Sequence, residues 1–282
     1  MYKKTETLFS ENSKKEHTFL SMIGIFDSGI GGLTVVKALT DRLPGYDIVY
    51  FGDTARTPYG TRSTETIVRY TLRDINFLLG KGAKIIVIAC NTASSAIYEN
   101  MHKRFDIPMF EVITPAAELS VKTSEKLRIG VIGTRATINS GVYEKKIHSM
   151  NPDAKIYSAA CPLLVSLVEE GWLKKPETAM IVKKYLLPLK ARQIDTLILG
   201  CTHYPVLKKT IQRKIGKRVD IIDSSVAIAE QVKNYLENHP ETDNVMSKKG
   251  NSEFFVSDVT KQFAITAKCI LKRNLVLKCA KI

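Results

Sequence analysis

The chain of 282 residues lacks the segments that would place it in or across a membrane. No apolar run approaches the ~18 residues that a membrane-spanning helix needs. The first residues, MYKKTETLFSENSKKEH, carry early lysines but no apolar stretch of the kind found in secretory signals. The sequence therefore predicts a cytoplasmic protein that does not act at a membrane and whose thiols are reduced.

Cysteines are few and are not paired along the chain. There are five, an odd number, and no two form a Cys-x-x-Cys motif, so no disulfide framework is predicted. Cys201 and His203 are spaced as zinc ligands can be, but a zinc site needs three or four ligands and no second close pair occurs. We expect no metal. We interpret Cys161, Cys269 and Cys279 as structural residues, the last two partly exposed.

Acidic residues are scarce relative to basic ones. The chain has 28 Asp and Glu against 42 Lys and Arg, a formal net charge of +14. Such a surplus can indicate nucleic-acid binding. The basic residues are spread along the chain, however, and no recognised nucleic-acid motif accompanies them. We therefore interpret them as a basic surface that could attract an anionic metabolite, and we do not expect nucleic acid as a partner.

Short apolar segments alternate with helical segments from residue 23 onward. The apolar segments are rich in Ile and Val without alternation, which is typical of parallel strands covered on both faces. The sequence predicts strands at 23–26, 48–51, 85–89, 109–113, 129–132, 155–158, 196–200 and 219–222. It predicts helices at 32–43, 63–80, 93–104, 115–124, 139–150, 162–171, 176–192, 205–215 and 225–238. This alternation indicates an α/β fold with mostly parallel sheets.

The two halves of this pattern resemble each other. IGIFDSGIGG begins at Ile23, and IGVIGTRATINSG begins 106 residues later at Ile129. Further along each half an aliphatic strand ends in a cysteine, Cys90 in IIVIACNTASS and Cys201 in TLILGCTHYP. This repeat predicts two similar lobes. Because ligands bind beyond the carboxyl ends of parallel strands, facing lobes would place the two cysteines on opposite walls of one cleft.

The surroundings of the two cysteines indicate acid–base chemistry. A helix that begins just after a cysteine favours bound carboxylate and lowers the pKa of the thiol. The glycines of DSGIGG, residues 27–32, would let the backbone approach an anionic ligand. Inversion of a stereocentre with an acidic C–H needs a proton-transfer group on each face, and a thiolate opposite a thiol meets that need. A single such cysteine would be interpreted as structural, but the matched pair favours catalysis.

Seven segments in order resemble the glutamate racemases, from about Ile23 to the C-terminus. They are IGIFDSGIGGLTVVKAL, YFGDTARTPYGTRS, IVIACNTASSAI, VIGTRATINSGVY, CPLLVSLVEEG, LILGCTHYPVLKK and IIDSSVAIA. The resemblance implies an enzyme that interconverts L- and D-glutamate without a cofactor and supplies D-glutamate for peptidoglycan. One alternative is a related aspartate or hydantoin racemase. Another, from a different class, is a basic protein that binds nucleic acid or a topoisomerase.

The resemblance also implies roles for individual residues. Cys90 and Cys201 are the acid/base groups, with Cys201 deprotonating L-glutamate and Cys90 deprotonating D-glutamate. Asp27 assists the first cysteine and His203 the second. The residues assigned to the substrate are Asp27, Ser28, Tyr59, Gly60, Asn91, Thr92, Thr202 and His203.

Some of these assignments leave alternatives. The catalytic-site glutamate in LVEEG corresponds to Glu169, with the adjacent Glu170 as the alternative. Asp53 lies near the site or braces its loop. Helix capping is the other role for the serine, threonine and asparagine residues. A turn after Pro58 is the other role for the tyrosine–glycine pair.

The resemblance further implies how the chain is divided, since in the family the end of the chain returns to the first lobe. We expect a flexible extension at 1–21, lobe one at 22–115 plus 226–282, and lobe two at 116–225. Met22 directly precedes the first strand, so translation could begin there. A homodimer and regulation by a peptidoglycan precursor are further expectations.

Overall fold

The computed structural model describes residues 21–97 and 104–281. Of the predicted N-terminal extension at 1–21, residues 1–20 lie outside the described residues. Residues 98–103 of the helix predicted at 93–104 also lie outside them. No helix in these two ranges has the length and hydropathy needed to cross a membrane.

The strands form two sheets, and every strand pairing that the structure describes is parallel. In chain order the strands are β1 (Met22–Asp27), β2 (Ile48–Gly52), β3 (Ala83–Ile88), β4 (Met109–Glu111), β5 (Arg128–Gly133), β6 (Lys155–Ala160), β7 (Thr196–Gly200), β8 (Asp220–Asp223), β9 (Ser252–Val256) and β10 (Leu277–Cys279). The first sheet has the order β10-β9-β2-β1-β3-β4 and the second the order β6-β5-β7-β8. The predicted α/β fold with two similar lobes is confirmed.

Helices follow the strands along most of the chain. They are α1 (Leu33–Arg42), α2 (Thr64–Gly80), α3 (Asn91–Ile97), α4 (Ile113–Thr123), α5 (Arg135–Asn139), α6 (Val142–Met150), α7 (Leu163–Glu169), α8 (Pro176–Ala191), α9 (Lys208–Ile215), α10 (Ser224–Asn238), α11 (Pro240–Asp243) and α12 (Lys261–Leu271). The prediction of one helix at 139–150 is wrong at its start, because α5 ends at Asn139 and α6 begins at Val142. Gly141, at a φ of +65°, separates α5 from α6.

Both sheets are covered on both faces, as the continuous apolar strands predict. Buried side chains of α1, α10 and α12 pack on one face of the first sheet, and those of α2 and α3 pack on the other. The second sheet lies between α7, α8 and α9 on one face and α4 and α6 on the other. Burial of this apolar area, at roughly 25 cal/mol per Å², is the main source of stability.

The strand order of the first half recurs in the second. Strands β2-β1-β3-β4 lie in the same sequence as β6-β5-β7-β8, and β9 and β10 extend the first sheet beyond β2. The sheets therefore have equivalent switch points, between β1 and β3 and between β5 and β7, where successive connections leave in opposite directions. Open parallel sheets bind ligands at such points.

Asp47 joins the C-terminal strands to the first sheet. It is fully buried directly before β2. Its carboxylate accepts hydrogen bonds from the Ser247 hydroxyl at 2.7 Å and from the backbone N–H groups of Lys249 and Asn251 at 3.1 and 2.8 Å. Those three donors lie just before β9, so Asp47 fixes the chain where it re-enters the sheet.

The substitution Asp47→Asn should lower the free energy of unfolding by about 1–3 kcal/mol, because an amide cannot accept all three hydrogen bonds at a buried position. Urea denaturation measures the change. Asp41→Asn is the control, since the contact given for its carboxylate among the described residues is an exposed ion pair with Lys37. It should shift stability by less than about 0.5 kcal/mol. Equal effects of the two substitutions would contradict the role given to Asp47.

Candidate active site

Polar residues collect at the carboxyl ends of the strands that flank the two switch points. Asp27 ends β1, and Cys90 follows β3 by two residues. In the other sheet Thr134 directly follows β5 and Cys201 directly follows β7. Because the sheets present these ends to each other, the two cysteines line one cavity from the two lobes. The structure thus brings together the pair that the sequence repeat singled out.

This cavity is small and closed on several sides. Its volume is about 20 Å³, room for roughly one water molecule. Its lining residues are Ser28, Thr57, Pro58, Tyr59, Gly60, Cys90, Asn91, Thr92, Thr134, Val165, Cys201, Thr202 and His203. This volume is too small for a molecule the size of an amino acid.

Two glycines allow the lobes to approach this closely. A Cβ atom on Gly31 would lie 2.3 Å from Thr202 Oγ1 and 2.6 Å from His203 Nδ1. A Cβ atom on Gly60 would lie 2.7 Å from the Cβ atom of Thr134. Each glycine is in the lobe of the first sheet and its neighbour is in the other, so any side chain here would hold the lobes apart.

Cys90 lies in a buried environment that favours its neutral thiol. The thiol donates to Ser28 Oγ at 3.5 Å and receives a hydrogen bond from the backbone N–H of Ala93 in α3. Burial, followed by the negative charge of Asp27, raises the pKa of Cys90 to about 12. The prediction of a lowered thiol pKa is therefore wrong for Cys90 in this geometry, because desolvation outweighs the helix N-terminus.

Asp27 links the first cysteine to the opposite lobe. It is fully buried, and its carboxylate accepts from the Gly29 N–H at 3.0 Å and from the Thr202 hydroxyl at 3.1 Å. Burial raises the pKa of Asp27, while the charge of His203 acts in the opposite direction.

Cys201 has a different set of partners. Its sulfur lies 3.7 Å from His203 Nδ1, and His203 Nε2 lies 3.2 Å from Glu169 Oε1. Burial alone would lower the pKa of His203, but the hydrogen bonds to Cys201 and Glu169 raise it well above the ordinary value. The two neighbours therefore favour the protonated ring of His203, which lies between the Cys201 sulfur and the Glu169 carboxylate. Glu169 makes this contact. Both Glu169 and Glu170 line a neighbouring pocket that shares Thr57 with the cavity.

Asn91 and Thr92 are fixed by residues of the second lobe. The Tyr143 hydroxyl donates to Asn91 Oδ1 at 2.7 Å. Among the described residues, the buried Asn91 Nδ2 has no hydrogen-bond partner. Thr92 Oγ1 lies 2.9 Å from Thr134 Oγ1 and 3.3 Å from Thr137 Oγ1. An unpaired amide donor at the cavity is suited to a ligand carboxylate.

Tyr59 contributes to the cavity wall, but its hydroxyl is held elsewhere. That hydroxyl lies 2.6 Å from Asp53 Oδ2 and 2.9 Å from Asp74 Oδ2. Asp53 therefore braces the loop, which was one of its two predicted roles. Gly60 contributes its backbone and its close contact with Thr134.

Several lining or supporting residues were not singled out from the sequence. They are Thr57, Thr134, Thr137, Tyr143 and Val165. One had a signal, because the 106-residue repeat pairs Thr134 with Ser28. The others had none, since only tertiary packing brings them to the cavity. Within the described ranges, no group of three or more His, Cys, Asp or Glu residues is arranged to hold a metal ion.

Fold and site together define a class of protein, a two-lobe α/β enzyme with opposed cysteines at paired switch points. A family model of Asp/Glu/hydantoin racemases matches residues 33–232. The glutamate racemase of Aquifex pyrophilus is 45% identical over 259 residues, which cover 92% of this chain and 97% of that protein. The chain belongs to the glutamate racemases within this family.

Solved structures agree with this assignment. A glutamate racemase from Francisella tularensis in complex with D-glutamate is 36% identical, with a TM-score of 0.85 over 93% of this chain and 98% of that one. The Escherichia coli glutamate racemase, in complex with L-glutamate and the activator UDP-MurNAc-ala, is 26% identical with a TM-score of 0.74. The alignment covers 90% of this chain and 94% of the E. coli chain.

The rate at which each cysteine is alkylated should depend on its burial and on the pKa of its thiol, because the thiolate is the reactive form. At pH 7 we expect iodoacetamide to alkylate the exposed Cys269 and Cys279 first and Cys90 far more slowly. The Cys90 rate should rise with each pH unit up to about pH 10, since its pKa is about 12. Peptide mass spectrometry gives the rates, with urea-unfolded protein as the control. Rapid labelling of Cys90 in the folded protein at pH 7 would contradict this account.

Proposed function

We propose that the protein interconverts L- and D-glutamate without a cofactor, with Cys90 and Cys201 as the two acid/base residues. The observation that carries this proposal is the position of the two thiols, which reach one cavity from opposite lobes. Removal of an α-proton from one face of a carbon and delivery of a proton to the other requires such an arrangement. The membership of the chain in the glutamate racemases supports glutamate as the substrate.

The two cysteines differ in their neighbours. His203 Nδ1 lies 3.7 Å from the Cys201 sulfur, so the ring is placed to exchange a proton with that thiol. In this proposal Cys201 is the base that acts on L-glutamate, as the resemblance implies, and Cys90 returns a proton from its neutral thiol. With D-glutamate the roles reverse, and Cys90 must lose its proton although burial and the charge of Asp27 favour the neutral thiol. Assistance to Cys90 by Asp27 stays a prediction.

Donor groups at the cavity are placed to hold the substrate carboxylates. Asn91 Nδ2 has no partner among the described residues, and Ser28, Thr92 and Thr202 line the same cavity. These donors lie in a buried site, where they stabilise negative charge more strongly than water-exposed donors do. They would also stabilise the carbanion that forms when the α-proton leaves.

The biological setting follows from the same proposal. The product D-glutamate would serve peptidoglycan synthesis in the cytoplasm. The complex of the E. coli relative with its activator UDP-MurNAc-ala supports a peptidoglycan precursor as a regulator here also. A homodimer stays a prediction, as do the lobe boundaries at 22–115 plus 226–282 and at 116–225.

Incubation with L-glutamate in D2O, without added cofactor, tests the activity. Optical rotation should decay to zero while deuterium enters the α-carbon. Cys90→Ser and Cys201→Ser should each lower kcat/KM by at least about 100-fold. Cys161→Ser is the matched control, because this buried thiol donates to the Ala159 carbonyl and is not among the residues that line the cavity. Turnover of L-aspartate in place of glutamate would assign the protein to a different racemase.

A pair of adjacent glutamates tests the partner of His203. Glu169→Gln should lower kcat/KM about tenfold, because it removes a charge-assisted hydrogen bond. It should also lower the pKa of His203, so the imidazolium is lost at a lower pH and the basic limb of the pH profile shifts downward. Glu170→Gln should change kcat/KM by less than about twofold. Equal losses in the two variants would contradict the role of Glu169.

A further inference from the structure

Three buried side chains form a linked series behind the cavity wall. Tyr59 Oη lies 2.6 Å from Asp53 Oδ2 and 2.9 Å from Asp74 Oδ2. Asp53 and Asp74 are 0% exposed and Tyr59 is 1% exposed. Both contacts are at hydrogen-bond distance. The series therefore runs from the end of β2, through the wall of the site, to the middle of α2.

The two hydrogen bonds of this series need two protons, and two ionised carboxylates and one phenol supply only one. A phenol has one proton to donate, and an ionised carboxylate has none. Tyr59 can therefore make a full hydrogen bond to one carboxylate only. The second contact requires a proton on one of the carboxyl groups.

The partners of each carboxyl group show which one holds that proton. Asp53 also accepts from the Arg56 guanidinium, which lies 3.0 and 3.1 Å from its two oxygens, and from the Ser257 hydroxyl at 2.8 Å. For Asp74, by contrast, the described residues offer Oδ1 no hydrogen-bond partner at all. A buried charge without such partners is far less stable than a neutral acid.

We propose that Asp74 is a positioning residue of the active site, which as a neutral carboxylic acid donates a hydrogen bond to Tyr59 Oη while Tyr59 donates to Asp53. The surrounding charges agree with this assignment. Burial, then the negative charge of Asp53, raise the pKa of Asp74 well above its ordinary value, whereas Arg56 and Arg73 act in the opposite direction. The proposal rests on the racemase function, because the wall that Asp74 holds is a wall of that site.

The series fixes the wall relative to the reacting groups. Tyr59 begins the short turn Tyr59–Thr61, whose Gly60 contacts Thr134 in the other lobe. The backbone N–H of Asp53 donates to the Asp27 carbonyl at 2.9 Å. Asp74 therefore connects α2 to both the wall and the strand end that carries Asp27. A neutral donor makes this connection without a second negative charge beside Asp53.

Infrared spectroscopy at pH 7 measures the protonation directly, because a carboxylic acid and a carboxylate absorb at different frequencies. The spectrum of the native protein minus that of Asp74→Asn should contain a carboxylic acid band. Asp47→Asn is the matched control, since Asp47 is equally buried but accepts three hydrogen bonds. Its difference spectrum should contain carboxylate bands only. A missing acid band in the Asp74 difference spectrum would overturn the proposal.

Two variants of similar size then measure positioning. Asp74→Leu cannot donate to Tyr59, and it should raise both the KM for glutamate and the alkylation rate of Cys90 about tenfold. Asp74→Asn has an amide donor and should restore both values to within about threefold. A less stable leucine variant with unchanged KM and alkylation rate would mean a purely structural role. If the native protein does not racemise glutamate, the proposed function fails, but the infrared band and the alkylation rate still test Asp74.

Discussion

The close contact between the lobes at Gly31 and Gly60 is the constraint on which the rest of the site depends. Each cysteine lies at the switch point of its own sheet, Cys90 near Asp27 and Cys201 beside His203. Only when the backbone of one lobe lies directly against Thr134, Thr202 and His203 of the other do the thiols share a cavity. The same contact excludes water, which strengthens every electrostatic interaction inside.

That exclusion of water has opposite effects on the two sides of the cavity. Around Cys90 it favours the neutral thiol, because the neighbouring carboxylate of Asp27 is also negative. Around Cys201 it strengthens the attraction between sulfur and a protonated His203, which Glu169 holds in place. The two sulfur atoms therefore differ in their neighbours, a carboxyl group near Cys90 and a histidine beside Cys201.

The sequence predicts the parts of the fold that have a local signature. Strands β1, β2, β3, β5 and β7 are buried apolar runs, and these strands were located within a few residues. Strand β10, with the sequence LKC, has no such signature, because its residues are largely exposed and it forms only through pairing with β9. The repeat likewise identified Cys90 and Cys201, whereas Tyr143 and Asp74 are helix residues that only tertiary packing brings to the site.

The matching strand orders make each lobe half of a site. A single-lobe ancestor with this topology could have completed a site only by pairing with a second copy across a two-fold axis, and both halves would then have been identical. Two copies joined in one chain no longer have to be identical, because an amino-acid substitution in one copy does not occur in the other. The paired switch points accordingly hold unlike neighbours, Ser28 beside Cys90 and His203 beside Cys201, around two cysteines in like positions.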